Sequence, residues 1–183
     1  MARRSNIDLT RALILGAAFE IMEQEGLDAL STRRLAARLS VQGPALYWHI
    51  RNKDELLGMM AASIYAEARA AVPRAEGWRE WLTHYGLALH EAFRCRRDAA
   101  RLCSIAKPIG DPREAAGAIA APLVAFGLPE AKALSYQASV ISLALGWAIF
   151  EVNGPMHAFL GSFMDLGKTF RTGLDALVEG YSA

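Results

Sequence analysis

The sequence has little net charge, few cysteines and no uninterrupted apolar run near its first residue. Its 183 residues carry 20 Lys and Arg against 19 Asp and Glu, a net charge of +1, which excludes a generally cationic or acidic protein. The two cysteines, Cys95 and Cys103, match no metal or redox spacing, so reduced thiols in the cytoplasm are the simplest interpretation. Acidic residues interrupt the apolar part of the N-terminus, which is therefore not typical of a signal peptide.

Residue patterns typical of enzymes are also missing. The sequence contains no recognisable nucleophile–base pair, no glycine-rich phosphate loop and no metal-ligand spacing. His84 and His90 fall on opposite faces of a helix, so they cannot bind one metal ion together. We therefore expect no enzymatic activity, no metal and no cofactor.

Strand-like alternation is absent, whereas helical periodicity runs through almost the whole chain. We predict an all-α fold. The expected helices cover residues 8–25, 32–39, a short segment from Pro44, 53–71, 77–94, 97–106, 113–126, 129–151 and 160–181.

Several helix ends carry recognisable capping residues. Gly26 follows the first helix, where a left-handed residue is required. Ser31 is a favourable N-cap for the second helix. Asn52 resembles an N-cap for the fourth, with Glu55 at the spacing of a capping box.

Residues 133–150 form an uncharged run of 18 residues, which is close to the roughly 20 residues that span a bilayer. Serines and a glutamine dilute its hydrophobicity, and Lys132 and Glu151 bound it closely. We expect no membrane span here. A helix buried on all sides, in a core or a subunit interface, fits the composition better.

The segment 43–53 reads GPALYWHIRNK and follows a helix and a tight turn, as in a helix-turn-helix motif. On a helical wheel Leu46 and Ile50 face inward, whereas Trp48 points away from the core. Between residues 31 and 53 there are five cations and no acid. An exposed tryptophan beside basic side chains favours a surface that contacts DNA. A solvated charged face, with the aromatic residues in a packing role, is the alternative.

Residues 26–57, GLDALSTRRLAARLSVQGPALYWHIRNKDELL, resemble the DNA-binding domain of TetR-family transcriptional regulators. The resemblance extends from about Leu9 to Met60. It implies a helix-turn-helix DNA-binding domain over residues 1–54, a connector helix over 53–72, and an effector-binding and dimerisation domain over 73–183. It also implies a homodimer that binds a near-palindromic, double-stranded DNA operator.

By position, the resemblance also implies a set of DNA-contacting residues. These are Thr32, Arg33, Gln42, Gly43, Pro44, Ala45, Tyr47, Trp48, His49 and Lys53. Two positions depart from the family pattern. Ser40 stands where glycine is common, and Gly43 stands where a longer polar side chain can read a base, so the operator sequence cannot be transferred.

The second domain is more weakly similar to the tetracycline repressor subgroup, through GWREWLTHYGLALHEAFRCRRDAARLCSIAKP and FRTGLDALVEGY. The similarity implies that the late helices pair into a four-helix bundle between subunits. Small residues would permit close packing there, and larger ones would supply burial: Ser139, Ser142, Ala144 and Gly146, with Leu143, Ile149, Leu174 and Leu177.

The similarity further implies a small-molecule effector inside this domain. Candidate lining residues, each of which could equally belong to an ordinary core, are Trp81, Tyr85, Leu89, Cys103, Ile105, Tyr136, Trp147 and Phe150.

Tetracycline itself is not the expected effector. The subgroup's magnesium-binding histidine and threonine correspond to Cys103 and Ala106, and two tetracycline-contacting residues correspond to Ala68 and Tyr85. Magnesium prefers oxygen ligands to a thiol in apolar surroundings. The stretch 152–167 also looks too short for the helix that covers the drug. We expect an apolar or aromatic effector instead.

The sequence therefore predicts a ligand-responsive repressor. Two alternatives stay open at this point: a transcriptional activator, and a DNA-binding interaction protein without a small-molecule effector. A redox role for Cys103 also stays open. A thiol switch needs a lowered pKa and exposure to solvent, and the sequence shows neither property.

Overall fold

A computed structural model describes residues 9–152 and 154–182, and its regular structure is helical throughout this part of the chain. A 3-10 turn at Leu27–Ala29 separates the first two helices. The helices are α1 Arg11–Glu25, α2 Thr32–Arg38, α3 Gly43–Tyr47, α4 Lys53–Ala70, α5 Trp78–Arg94, α6 Ala99–Ile105, α7 Pro112–Val124, α8 Glu130–Val152, α9 Gly154–Gly161 and α10 Leu166–Glu179. The predicted all-α fold is confirmed. The predicted helix start at Asp8 lies outside the described residues.

The capping residues act largely as the sequence predicts. Gly26 has a φ of 90°, which a side chain would disfavour. The Ser31 hydroxyl accepts a hydrogen bond from the Arg34 N–H at 3.2 Å, and Asn52 Oδ1 accepts one from the Glu55 N–H at 2.8 Å. Glu55 in turn accepts from the N–H of Arg51, at 2.6 Å, so the reciprocal bond of the capping box falls one residue earlier than predicted.

The last predicted helix, 160–181, is wrong at its N-terminal end. The chain forms α9 over Gly154–Gly161 and starts α10 only at Leu166. Asp165 caps α10, since its Oδ1 accepts a hydrogen bond from the Lys168 N–H at 3.0 Å. The stretch 152–167 is thus long enough for an additional eight-residue helix, contrary to expectation.

One hydrophobic cluster runs through the described chain, and α4 packs both with the N-terminal helices and with the larger domain. α1 packs on α4, as do α5 and α6. Six buried α4 side chains contribute to this cluster: Leu56, Leu57, Met59, Met60, Ile64 and Ala68. The predicted DNA-binding segment, described here over residues 9–54, and the larger domain therefore share one helix.

α8 is long and apolar enough to cross a bilayer by length and composition alone. One face of it packs against α5 and α7. Its buried stripe consists of Ala133, Gln137, Val140, Ala144 and Ala148. Only 28% of its most apolar 18-residue stretch is buried within one chain, so an uncharged face of the helix is exposed to solvent.

The residues predicted for the subunit bundle do not share one environment. Ser142 and Ile149 are exposed on α8, whereas Ser139, Leu143, Gly146 and Leu177 are half-buried. Ala144 and Leu174 lie in the chain's own core, which corrects their predicted place at an interface. Leu174 packs against α5, where its methyl groups lie directly over Gly86.

Candidate DNA interface and effector cavity

α3 and the residues after it expose their aromatic side chains as the helical wheel predicts. Leu46 and Ile50 are 1% and 0% exposed, whereas Tyr47 and Trp48 are 55% and 89% exposed. Pro44 lies in the first turn of α3, where its missing N–H leaves no helical bond unmade. The two inward residues fix α3 on the core, so the aromatic residues face solvent.

All ten predicted DNA-contacting residues lie at or near the surface. Thr32, Gly43 and His49 are half-buried and the other seven are exposed. α2 and α3 form a shallow cleft of about 410 Å³ between them, which Thr32, Arg33, Gly43 and Tyr47 help to line. The fold therefore brings residues from both helices together on one face.

The turn between α2 and α3 contains Ser40, which stands where glycine is common in the family that the sequence resembles. Ser40 has a φ of 55°, a left-handed conformation that glycine adopts more readily. The chain thus keeps the turn geometry that glycine would favour, with serine in its place.

Ion pairs reduce the positive charge that this region offers to a polyanion. Arg34 pairs with Glu25. Arg38 donates to Glu20 at 3.1 Å and to Gln24 at 2.8 Å. Arg33, Arg51 and Lys53 form no ion pair with any residue that the structure describes, so three of the five sequence cations remain available.

A cavity of about 440 Å³ lies in the larger domain, between α4, α5, α6, α7 and α8. Among the residues predicted for an effector site, Tyr85 and Cys103 line it. α4 contributes a wall of small residues that the sequence interpretation missed, namely Gly58, Ala61, Ala62 and Ala66. Tyr65 and Arg69 of the same helix complete that wall.

The other six predicted effector residues do not line this cavity. Trp81 and Leu89 are buried in the core, and Ile105 and Phe150 are 55% and 44% exposed. Tyr136 stacks on Trp78 and on Tyr181, with ring centroids 5.7 Å and 3.9 Å away.

Trp147, the sixth of these residues, donates from its Nε1 to the Leu166 carbonyl at 3.2 Å. These six side chains either pack in the hydrophobic core or lie nearer the surface, and none of them lines the cavity, which corrects their predicted position. The missed signal was a series of small residues at helical spacing along α4.

Burial keeps the thiol and the two phenol groups of the cavity neutral. It raises the pKa of the Cys103 thiol to about 12 and raises the pKa of the Tyr65 and Tyr85 hydroxyls above their ordinary values. Among the described residues no histidine or carboxylate lines the cavity. Cys103 and Ala106 therefore do not provide the oxygen ligands that a magnesium chelate would need.

Polar contacts connect α6, a wall of the cavity, with the DNA-binding segment. Asp98, just before α6, accepts a hydrogen bond from the Leu27 N–H at 2.8 Å. Arg101 donates two hydrogen bonds to Asp28, at 2.9 Å and 2.7 Å. After α6, Lys107 Nζ lies 2.6 Å from Asp54 Oδ2, at the start of α4.

Known proteins share both the sequence and the architecture. The sequence model of the family described as "Bacterial regulatory proteins, tetR family" matches residues 14–60. The tetracycline repressor protein class A from transposon 1721 of Escherichia coli is 34% identical over 147 residues, or 79% of this chain and 68% of that repressor. The chain spans about half to two thirds of several other tetracycline repressor classes.

Solved structures match over nearly the full length. The TetR(class A) complex with 5a,6-anhydrotetracycline and magnesium is 30% identical, with a TM-score of 0.71 over 94% of this chain and 97% of that chain. The Streptomyces coelicolor TetR family protein ActR in complex with (S)-DNPA is 26% identical, with a TM-score of 0.73 over 94% and 96%. With its helix-turn-helix segment and its larger helical domain, the chain belongs to the TetR family of DNA-binding transcriptional regulators.

Proposed function

We propose that this protein is a repressor, not an enzyme, which binds a near-palindromic operator as a homodimer and releases it when a small effector enters the cavity. The observation that carries the proposal is the position of α4. This helix begins at Lys53, five residues after the exposed Trp48, and its residues between Gly58 and Arg69 line the cavity. One rigid element therefore connects the two sites.

The exposed surface around α3 supports DNA binding. Trp48 has almost no contact with the rest of the chain, so its apolar ring is available to a sugar or a base edge. Arg33, Thr32 and Tyr47 line one cleft between α2 and α3, and in the proposed complex they and Lys53 would contact phosphates. Gly43 and Ala45 permit close approach of the helix to the groove floor.

The open face of α8 supports a homodimer. Ser142 and Ile149 are exposed on that face. Exposed apolar side chains continue on and after α9, where Phe159 and Phe163 are 60% and 71% exposed. A second copy would bury this surface symmetrically. It would also place two recognition helices on one operator.

The contacts of α6 support coupling between effector and DNA. A ligand that prefers one position of α6 would shift the helix relative to Leu27 and Asp54, to which its ends are bonded. Such a shift would change the spacing of the two recognition helices only if the ligand binds one state more tightly than the other.

A gel-shift experiment with the DNA upstream of the protein's own gene tests the proposal. We expect sequence-specific retardation that weakens steeply with salt, and a dimer in light scattering. A reporter placed behind the bound site would then show reduced expression for a repressor and increased expression for an activator. Failure to bind any genomic fragment would refute the proposed function.

A further inference from the structure

We infer that the cavity takes an organic carboxylate, with an apolar ring body, whose acid group pairs with Arg69. This inference rests on the proposed function, since it names the chemical class of the effector. It follows from the charge of the cavity wall, from the state of one guanidinium group, and from the shape of the space beside it.

The cavity wall is electrostatically one-sided. Its charged residues in the described chain are Arg69 and Lys107, both cations, and no acid faces them across the cavity. Lys107 is already neutralised, because its Nζ lies 2.6 Å from Asp54 Oδ2. Arg69 is therefore the cation of this wall whose charge has no carboxylate partner among the described residues.

The guanidinium of Arg69 is only partly satisfied by the protein. Its Nη1 donates to the carbonyl of Ala118 at 3.3 Å, whereas its Nε is buried and has no hydrogen-bond partner within the described chain. Arg69 is half-buried, arginine stays charged at all physiological pH values, and a partly desolvated charge without a counter-ion is unfavourable. A bound anion would remove that penalty.

A carboxylate matches the donors that Arg69 offers. The planar guanidinium can present two N–H groups to the two oxygens of one carboxylate, the strongest geometry for such a pair. The hydroxyl of Tyr85 lies beside the guanidinium, and burial raises the pKa of Tyr85, so it stays protonated and can donate to the same anion. A phosphate dianion would need more cations than this cavity supplies.

The rest of the cavity calls for an apolar body. From Arg69 the α4 wall continues over Ala66, Ala62 and Gly58, a length of roughly 16 Å at about 1.5 Å per residue. Ile119 and Ile141 face this wall from α7 and α8. The volume of about 440 Å³ lies in the range of small-molecule sites, and it suits a molecule of two or three rings with the acid at one end.

Matched pairs of acids and neutral amides test this assignment. Calorimetry would compare 2-naphthoate with 2-naphthamide, and 9-anthracenecarboxylate with its amide, on the full chain at pH 7. We expect each acid to bind at least ten-fold more tightly than its amide. In Arg69→Met the preference should disappear while amide binding is retained, and in Arg69→Lys part of it should remain. Arg74→Gln, at an exposed arginine, is the control for general charge and should behave as the wild type.

The outcomes separate this inference from the proposed function. Equal binding of acid and amide, or an acid preference that survives in Arg69→Met, would overturn the carboxylate assignment while leaving the cavity as the effector site. If no probe binds and none releases the operator, the cavity itself is refuted as an effector site, even where the gel shift establishes DNA binding. Thermal unfolding of each variant shows that a lost preference is not a lost fold.

Discussion

Gly58 lies directly against the backbone carbonyl of Lys107: a Cβ atom on Gly58 would be only 2.6 Å from that oxygen. The contact joins α4 to the segment that follows α6, at the edge of the cavity. Lys107 also binds Asp54 through its side chain, at 2.6 Å. The segment is therefore attached to α4 at two points one helical turn apart, and a ligand that displaces it acts directly on α4.

Substituting Gly58 with alanine should destabilise the protein by about 1–3 kcal/mol, because the new methyl group meets backbone, which cannot rotate away. The measurement is urea unfolding. Gly16→Ala is the matched control, since nothing lies within 4 Å of the added atom in α1, and it should be neutral or stabilising by up to about 1 kcal/mol. Equal stability of the two variants would show that α4 and the Lys107 segment are not in close contact.

Trp48→Ala should weaken operator binding by about 1–3 kcal/mol and leave the free energy of unfolding unchanged, because the side chain is 89% exposed. Leu46→Ala, by contrast, should lower the free energy of unfolding by about 2–5 kcal/mol, because Leu46 is buried. Operator titration and thermal unfolding of both variants check this pair. A large loss of stability in Trp48→Ala would mean that the residue has a structural role.

Arg33 and Arg34 are neighbours in sequence but should differ in their effect on DNA binding. Arg34 is paired with Glu25, whereas Arg33 has no acidic partner among the described residues. Arg33→Gln should reduce the slope of log affinity against log salt by about two, roughly one for each protomer of the proposed homodimer. Arg34→Gln should leave the slope almost unchanged. Operator titrations at several salt concentrations decide the matter, and equal slopes for the two variants would contradict the assigned surface.

Asp98→Ala should destabilise the protein by about 1–3 kcal/mol, because the part-buried N–H of Leu27 loses its acceptor. Asp98 has a φ of 59°, a conformation that asparagine tolerates well. Asp98→Asn keeps a side-chain oxygen and should therefore stay close to the wild type. Chemical unfolding compares the variants. If alanine and asparagine gave the same loss, the hydrogen bond to Leu27 would not be its cause.

Cys103 should react slowly with iodoacetamide in the folded protein. Burial raises the pKa of its thiol to about 12 from 9.0, and at pH 8 this lowers the reactive thiolate fraction by about a thousand-fold. A Cys95→Ser background leaves Cys103 as the single thiol, and mass spectrometry follows its alkylation with and without denaturant. Two results would contradict this prediction and support a redox role: rapid labelling in the folded state, or a peroxide sensitivity of operator binding that disappears in Cys103→Ser.

The exposed aromatic surface of α3 was predictable from the sequence because its signals are local. Two inward residues at helical spacing, Leu46 and Ile50, determine which side of α3 is exposed, and the Ser31 and Asn52 caps fix the flanking helix starts. The neutralisation of Arg34 was not predictable, because Glu25 approaches it from α1 only in the folded chain.

The cavity that we propose as the effector site was harder to predict for a different reason. Large aromatic residues such as Trp81 and Trp147 were obvious candidates, but large side chains fill space, whereas a cavity opens where side chains are small. Its position was encoded by Ala62 and Ala66 of α4, and alanine on a helix carries no specific chemical signal. Only the packing of the neighbouring helices shows that nothing covers them.

The sharing of α4 between the two ends of the hydrophobic cluster has a consequence for folding. Residues 1–54 alone would lack most of α4, the helix on which α1 packs, including the buried side chains of Leu56, Met60 and Ile64. Loss of structure in the larger domain should therefore spread through α4 into the DNA-binding segment. We expect the chain to unfold in a single cooperative transition, so that a bound effector protects the distant recognition helix from denaturation even while it weakens the hold of that helix on DNA.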